Sequence, residues 1–143
     1  MKLVIQRVSR ASVSAEGKLL SQIGRGICVL VGAEKGDSRE DAERLAEKLL
    51  AFRIFPDAAD KMNLSVREAG GEILSVSQFT LAAAVNKGTR PSFDSAEKPD
   101  VARELLEVFN RKLREGGVTV REGSFGARME VEILNDGPVT FIF

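Results

Sequence analysis

Three polar stretches in this chain interrupt sequence that otherwise looks like packing, and they are where chemistry would be placed. The first is Ser75-Val76-Ser77-Gln78-Phe79-Thr80-Leu81, hydroxyl and amide groups beside an aromatic at the end of an apolar run. Read as a continuing strand, Ser77 and Phe79 point one way while Gln78 and Thr80 point the other. Such a segment either orients a substrate or merely emerges into solvent. The second is Asn135-Asp136-Gly137-Pro138-Val139-Thr140, whose opening residues ordinarily mark a hairpin turn between apolar strands. The third, Asn86-Lys87-Gly88-Thr89-Arg90-Pro91-Ser92-Phe93, carries two cations and an aromatic in a glycine- and proline-punctuated loop. It suits phosphate and base contacts, and equally an ordinary solvated loop. Arg7 shares a strand face with Leu3 and Ile5, so its guanidinium needs a carboxylate or carbonyl partner.

The composition limits what these residues can do. There is no histidine, the usual general base near neutral pH and the commonest nitrogen ligand for zinc. That excludes serine or cysteine triads of the usual kind, and with no carboxylate cluster of metal-ligand spacing we expect no metal and no other cofactor. The single cysteine, Cys28, lies in Ile27-Cys28-Val29-Leu30-Val31 and reads as a buried, inert thiol. Lysine plus arginine and aspartate plus glutamate both number 21, so sequence-independent attraction to nucleic acid has no whole-molecule field behind it. Any RNA contact must be a local patch, and DNA is not an expected partner.

The elements that must hold these groups follow from periodicity. Residues 1–34 read as strands, with Glu16-Gly17 and Gly24-Arg25-Gly26 as turns and residues 27–31 as a fully buried run. Asp37 and Ser38 are N-cap residues for a helix burying Ala42, Leu45, Ala46, Leu49 and Phe52. A second helix opens at Pro99, buries Ala102, Leu105, Leu106, Phe109 and Leu113, and ends near Gly116-Gly117. Residues 73–81, 118–121, 127–134 and 139–143 read as further strands, with complete alternation over 127–133. At 143 residues the chain fits one domain, 1–143. The fold class expected is α+β: a mainly antiparallel, barrel-like sheet covered by two α-helices. No segment reaches membrane-span length and the first residues offer too short an apolar stretch for a signal peptide, so a cytoplasmic location is expected.

Taken in order, Ile5-Gln6-Arg7-Val8, Arg53-Ile54-Phe55, Lys61-Met62-Asn63-Leu64, Ser77-Gln78-Phe79-Thr80-Leu81, Arg90-Pro91-Ser92-Phe93 and Asn135-Asp136-Gly137-Pro138-Val139-Thr140 resemble the D-aminoacyl-tRNA deacylase family along the whole chain. The resemblance implies hydrolysis of the ester of D-aminoacyl-tRNA, with some action on mischarged glycyl-tRNA, as translational proofreading. It implies a homodimer with active sites at the interface, where Ser77, Gln78, Phe79 and Thr80 face Gly137 and Pro138 of the other subunit. The Gly137-Pro138 bond is cis in that family, and its carbonyls would anchor the substrate amino group while the main chain collides with a side chain of L configuration. Arg7 would hold that element, Met129 would contact substrate, and Lys87, Arg90 and Phe93 would take the tRNA 3′ end. Within this implied site the candidate oxyanion donors are the N–H groups of Phe79 and Thr80. Without histidine, water attack assisted by the terminal ribose hydroxyl is the preferred route over a Thr80 nucleophile. Two other classes remain open on the residues alone: a module that holds a tRNA 3′ end without cleaving it, and a purely structural homodimer.

Overall fold

The computed structural model describes residues 1–85 and 88–143, and its organising element is one long strand, β1 (Lys2–Ala15). A turn at Glu16 and Gly17 returns the chain as β2 (Lys18–Ile23), antiparallel to the second half of β1. Next, β3 (Gly26–Gly32) runs antiparallel to its first half. The helix α1 (Arg39–Ala51) opens with a full capping box, Ser38 accepting from the Asp41 N–H and Asp41 accepting from the Ser38 N–H. A two-stranded sheet of β4 (Phe55–Pro56) and β5 (Met62–Leu64) follows, then β6 (Glu72–Ser77). After a 3-10 turn, Phe79–Ala82, come α2 (Pro99–Glu115), β7 (Val120–Glu122) and β8 (Glu130–Ile142).

The main sheet has the order β2-β1-β3-β6-β7, with β8 pairing β1 off that path. Its β1 pairings are antiparallel, as patterning leads one to expect, but β3–β6 and β6–β7 are parallel. The connections explain this: α1 lies between β3 and β6, and α2 between β6 and β7, and a helical crossover brings the next strand back in the same direction. The Ser21 hydroxyl of β2 donates to the Glu122 carbonyl of β7 at 2.5 Å, drawing the path's two ends into a nearly closed barrel.

Two hydrophobic cores lie on the sheet's two faces. One packs Leu3, Ile5, Val29, Val31 and Ile73 beneath α1 and α2; the other fills the barrel with Val8, Ala11, Val13, Cys28, Leu74 and Val76. β1 contributes to both because its inward residues change face between Ile5 and Ala11, where its pairing with β8 is irregular. Burial pushes the Cys28 thiol up to about 12, so it stays protonated and unreactive.

Boundaries differ from the sequence reading at three functional places. The strand expected over residues 73–81 stops at Ser77, and the alternation expected from residue 127 begins only at Glu130, with 127–129 finishing a turn. The third concerns residues 135–140, which form no hairpin turn but lie inside the single strand β8. No helix among the described residues is long and apolar enough to cross a membrane.

Candidate active site

Where β6 ends, the chain folds sharply back on β3. The Gln78 N–H still donates to the Val31 carbonyl at 2.8 Å, and the Leu81 N–H then closes on the Gln78 carbonyl at 3.2 Å. Gly32 permits this approach: a Cβ there would sit 2.8 Å from the Gln78 carbonyl oxygen and 2.9 Å from Leu81 Cβ. The turn aims the Phe79 ring outward, 60% exposed, and leaves the Thr80 side chain exposed, accepting a hydrogen bond from Gln78 Nε2. As the first residues of a short helical turn, Phe79 and Thr80 present N–H groups with no acceptor inside it.

Beside this corner lies a cavity of about 490 Å³. Ser77, Gln78 and Phe79 line one side, Pro99, Ala102 and Leu106 of the α2 segment another, and Phe125, Met129 and Val131 a third. Glu97 is the one charged side chain among the described lining residues; it also accepts from the Lys98 N–H at 2.8 Å as α2 begins. Ala102, expected in the core, is half-buried: it packs against the helix-side core and also lines this opening. Met129, expected on a strand, sits just before β8, its sulfur 3.3 Å from the Ser124 N–H.

Phe93 packs against Phe79 edge to face, with centroids 5.1 Å apart, although thirteen residues lie between them in the chain. Reciprocal hydrogen bonds between Ala84 and Ser92, at 2.8 and 3.0 Å, close the base of that loop. Arg90 is exposed on it, and Lys87 lies outside the described residues.

The second group forms a separate locus. β8 pairs with β1 at Asn135–Val8 and again at Thr140–Gln6, so residues 136–139 loop out opposite Arg7. Arg7 fills the gap: its Nη1 donates to the Ile54 carbonyl at 2.7 Å, and its Nε lies 3.2 Å from the Asp136 carbonyl and 3.1 Å from the Asp136 carboxylate. The carbonyl partners and the partly interior ion pair are thus both present. Asn135 ties the loop from inside, its Oδ1 accepting from the Val139 N–H at 2.8 Å and its Nδ2 donating to Thr140 Oγ1 at 3.0 Å.

Gly137 has φ +129°, which favours glycine, and a Cβ there would approach Val139 Cγ2 to 2.6 Å and Arg7 Nη2 to 3.2 Å. The Gly137–Pro138 bond is cis. Neither residue lines the cavity of Ser77. One chain therefore brings Ser77, Gln78, Phe79, Met129 and Phe93 to one corner, and holds Arg7, Gly137 and Pro138 at another. Sequence reasoning missed Gly32, the Ile54 carbonyl and Asn135 as supports; the only signal for Gly32 was a glycine closing an apolar strand.

Comparison with known proteins finds relatives along the whole chain. Residues 4–143 match the family model described as D-Tyr-tRNA(Tyr) deacylase. A protein of Pelobacter propionicus named D-aminoacyl-tRNA deacylase is 55% identical over 99% of this chain and 98% of its own length. One of the same name from Geobacter sulfurreducens is 56% identical over 99% and 93%. Among solved structures, one titled c-Myc DNA Unwinding Element Binding Protein superposes with a TM-score of 0.94 at 43% identity, covering 100% of this chain and 97% of that one. A probable eukaryotic D-amino acid tRNA deacylase, at 21% identity and a TM-score of 0.85 over 99% and 97%, shows the shared fold.

Proposed function

From the premise that this chain belongs to the D-Tyr-tRNA(Tyr) deacylase family, we propose that it is a hydrolase that cleaves the ester of D-aminoacyl-tRNA, releasing tRNA and a D-amino acid. The observation that carries the reading is the corner after Ser77, where Ser77, Gln78 and Phe79 edge one cavity and two helical-turn N–H groups stand beside it. The ester is already activated, so orientation and donors for the developing oxyanion supply most of what the reaction needs. The N–H groups of Phe79 and Thr80 are assigned as those donors. The Ser77, Gln78 and Thr80 side chains orient the reacting groups, and the nucleophile is water, assisted by the free hydroxyl of the terminal ribose.

Chiral selection is assigned to the Gly137 and Pro138 main chain of a second copy of this protein, set against the Ser77 corner in a homodimer. Two features favour this: neither residue reaches the cavity within its own chain, and the loop-out they form is exposed and braced by Arg7. A backbone wall rejects an L side chain whatever its identity, and glycine has no side chain to reject, so glycyl-tRNA is a substrate as well. Phe93, Arg90 and Lys87 take the tRNA 3′ end by stacking and phosphate contact, Met129 borders the substrate, and the protein works in the cytoplasm. The test is deacylation of matched D-, L- and glycyl-tRNAs alongside sedimentation of the protein. Hydrolysis of the D and glycyl esters by a dimer is expected; equal hydrolysis of the L ester, or full activity as a monomer, would sink the assignment.

A further inference from the structure

Behind the cavity, two polar side chains are buried without a hydrogen-bond partner among the described residues. They are Ser75, 1% exposed, and Asn110, fully enclosed, and the atoms concerned are Ser75 Oγ and both Asn110 side-chain termini. Buried polar groups are ordinarily satisfied by protein or by ordered water, so three orphans in one core call for an explanation.

Their placement narrows it. In β6, Ile73 joins the core beneath the helices while Leu74 and Val76 join the barrel core, so alternation turns Ser75 toward the helices, on the same face as Ser77. In α2, Leu106, Asn110 and Leu113 share one stripe, four and then three residues apart, and Leu106 and Leu113 belong to that helix-side core. Ser77 and Leu106 both line the cavity. Ser75 therefore lies one pleat, about 6.6 Å along the strand, behind Ser77. Asn110 lies one helical turn, about 6 Å, behind Leu106. Both thus sit one step deeper in the same helix-side core than residues that line the cavity, and a buried water there makes about three hydrogen bonds.

We infer that Ser75 and Asn110 hold an ordered water in the helix–sheet core behind the cavity, and that through it they act as positioning residues for Ser77. The water accepts a hydrogen bond from the Asn110 amide and donates one to Ser75 Oγ and one to Ser77 Oγ, which leaves the Ser77 O–H directed toward the cavity. No bond to substrate is made by either residue.

The inference rests on the reading that Ser77 faces the reacting ester, and two independent measurements separate their failures. A ligand-free crystal structure at a resolution that resolves waters should show one within hydrogen-bonding distance of Ser75 Oγ and of the Asn110 amide. A dry contact, or a direct Ser75–Asn110 bond, would overturn the inference and leave the hydrolytic reading untouched. In kinetics on D-aminoacyl-tRNA, Ser75→Ala and Asn110→Leu should each lower kcat threefold to tenfold with KM within twofold. Ser75→Thr, which keeps the hydroxyl, should restore kcat, and the double variant should be no slower than the worse single one. Should Asn110→Leu fail to fold, Ser75→Ala and its threonine rescue still decide. Melting curves identify variants that fold, and unchanged kcat in a folded Ser75→Ala protein would overturn the positioning role. A Ser77→Ala enzyme with undiminished kcat would instead overturn the reading on which it rests.

Discussion

The corner after Ser77 and the loop-out opposite Arg7 solve the problem of presenting polar groups from a sheet in opposite ways. At the corner a strand ends, a 3-10 turn packs tightly on Gly32, and side chains and N–H groups gather around a concave space. At the loop-out a strand continues, and residues 136–139 stand off the pairing with β1 opposite Arg7, whose guanidinium ties Asp136 to the Ile54 carbonyl. The first presents groups that a reaction can use; the second presents a shape with few side-chain choices in it. A division between promoting the chemistry and excluding the wrong substrate is what such a difference suits.

The comparison can be broken from either side. The largest effect expected is on the substrate: removing the free 2′-hydroxyl from the terminal ribose of a 3′-linked D-aminoacyl-tRNA should slow single-turnover hydrolysis at least a hundredfold, about 2.7 kcal/mol, while binding stays within a few-fold. Undiminished turnover would return the burden of base catalysis to the protein. Next comes Gly137→Ala, which forces a Cβ against Val139 at positive φ. It should destabilise the fold by more than about 1 kcal/mol and cut D-aminoacyl-tRNA hydrolysis by more than tenfold. Wild-type melting temperature and activity would show that the loop-out adapts and is no wall.

Arg7→Lys keeps charge but cannot hold the Ile54 carbonyl and Asp136 together in one fork. A loss of about 1.5–3 kcal/mol is expected from its charge-assisted bonds. Discrimination between D and L esters should fall more than kcat, as parallel assays on both would reveal. Thr80→Ala removes an orienting hydroxyl and its exposed bond to Gln78 but no covalent step, so activity should drop less than about tenfold, and a trapped Thr80 ester would contradict the water mechanism. The smallest effect lies far from both loci. Hydrogen bonds from Arg44 and then Ser38 hold the Asp41 carboxyl at about 2 instead of 3.8. A depressed carboxylate stabilises fully above 3.8 and loses that contribution as pH falls toward 2. Asp41→Asn should therefore flatten the pH dependence of the urea midpoint in that window and nowhere else.

Legibility followed the range of the interactions. Ser38 announces the start of α1, Gly116 and Gly117 the end of α2, and the apolar run around Cys28 its burial, because each depends on neighbours a few residues away. The end of β6 at Ser77 was not legible, since what stops the strand is the room beside Gly32, forty-odd residues earlier. Residues 135–137 carry the same local signal for a hairpin and for a loop-out; the partner that decides is Arg7, on another strand. Ala102 fits an apolar stripe whether the stripe meets a core or a cavity, and the position of Asn110 within that stripe is invisible to a hydrophobic pattern. Parallel pairing of β3, β6 and β7 depends on how α1 and α2 cross over, which strand patterns do not encode.

Because β8 is zipped to β1 on both sides of residues 136–139, those four positions are uncoupled from the strand's alignment. Each flank is fixed by its own partners, Val131 and Ile133 toward the barrel core and Phe141 toward the helix-side core. A change in the length of the displaced segment therefore need not slide either flank, while its composition is bounded by the positive φ of Gly137 and the burial of Val139. The limits on its length are the reach of Arg7 and the clasp of Asn135 rather than the packing of the barrel.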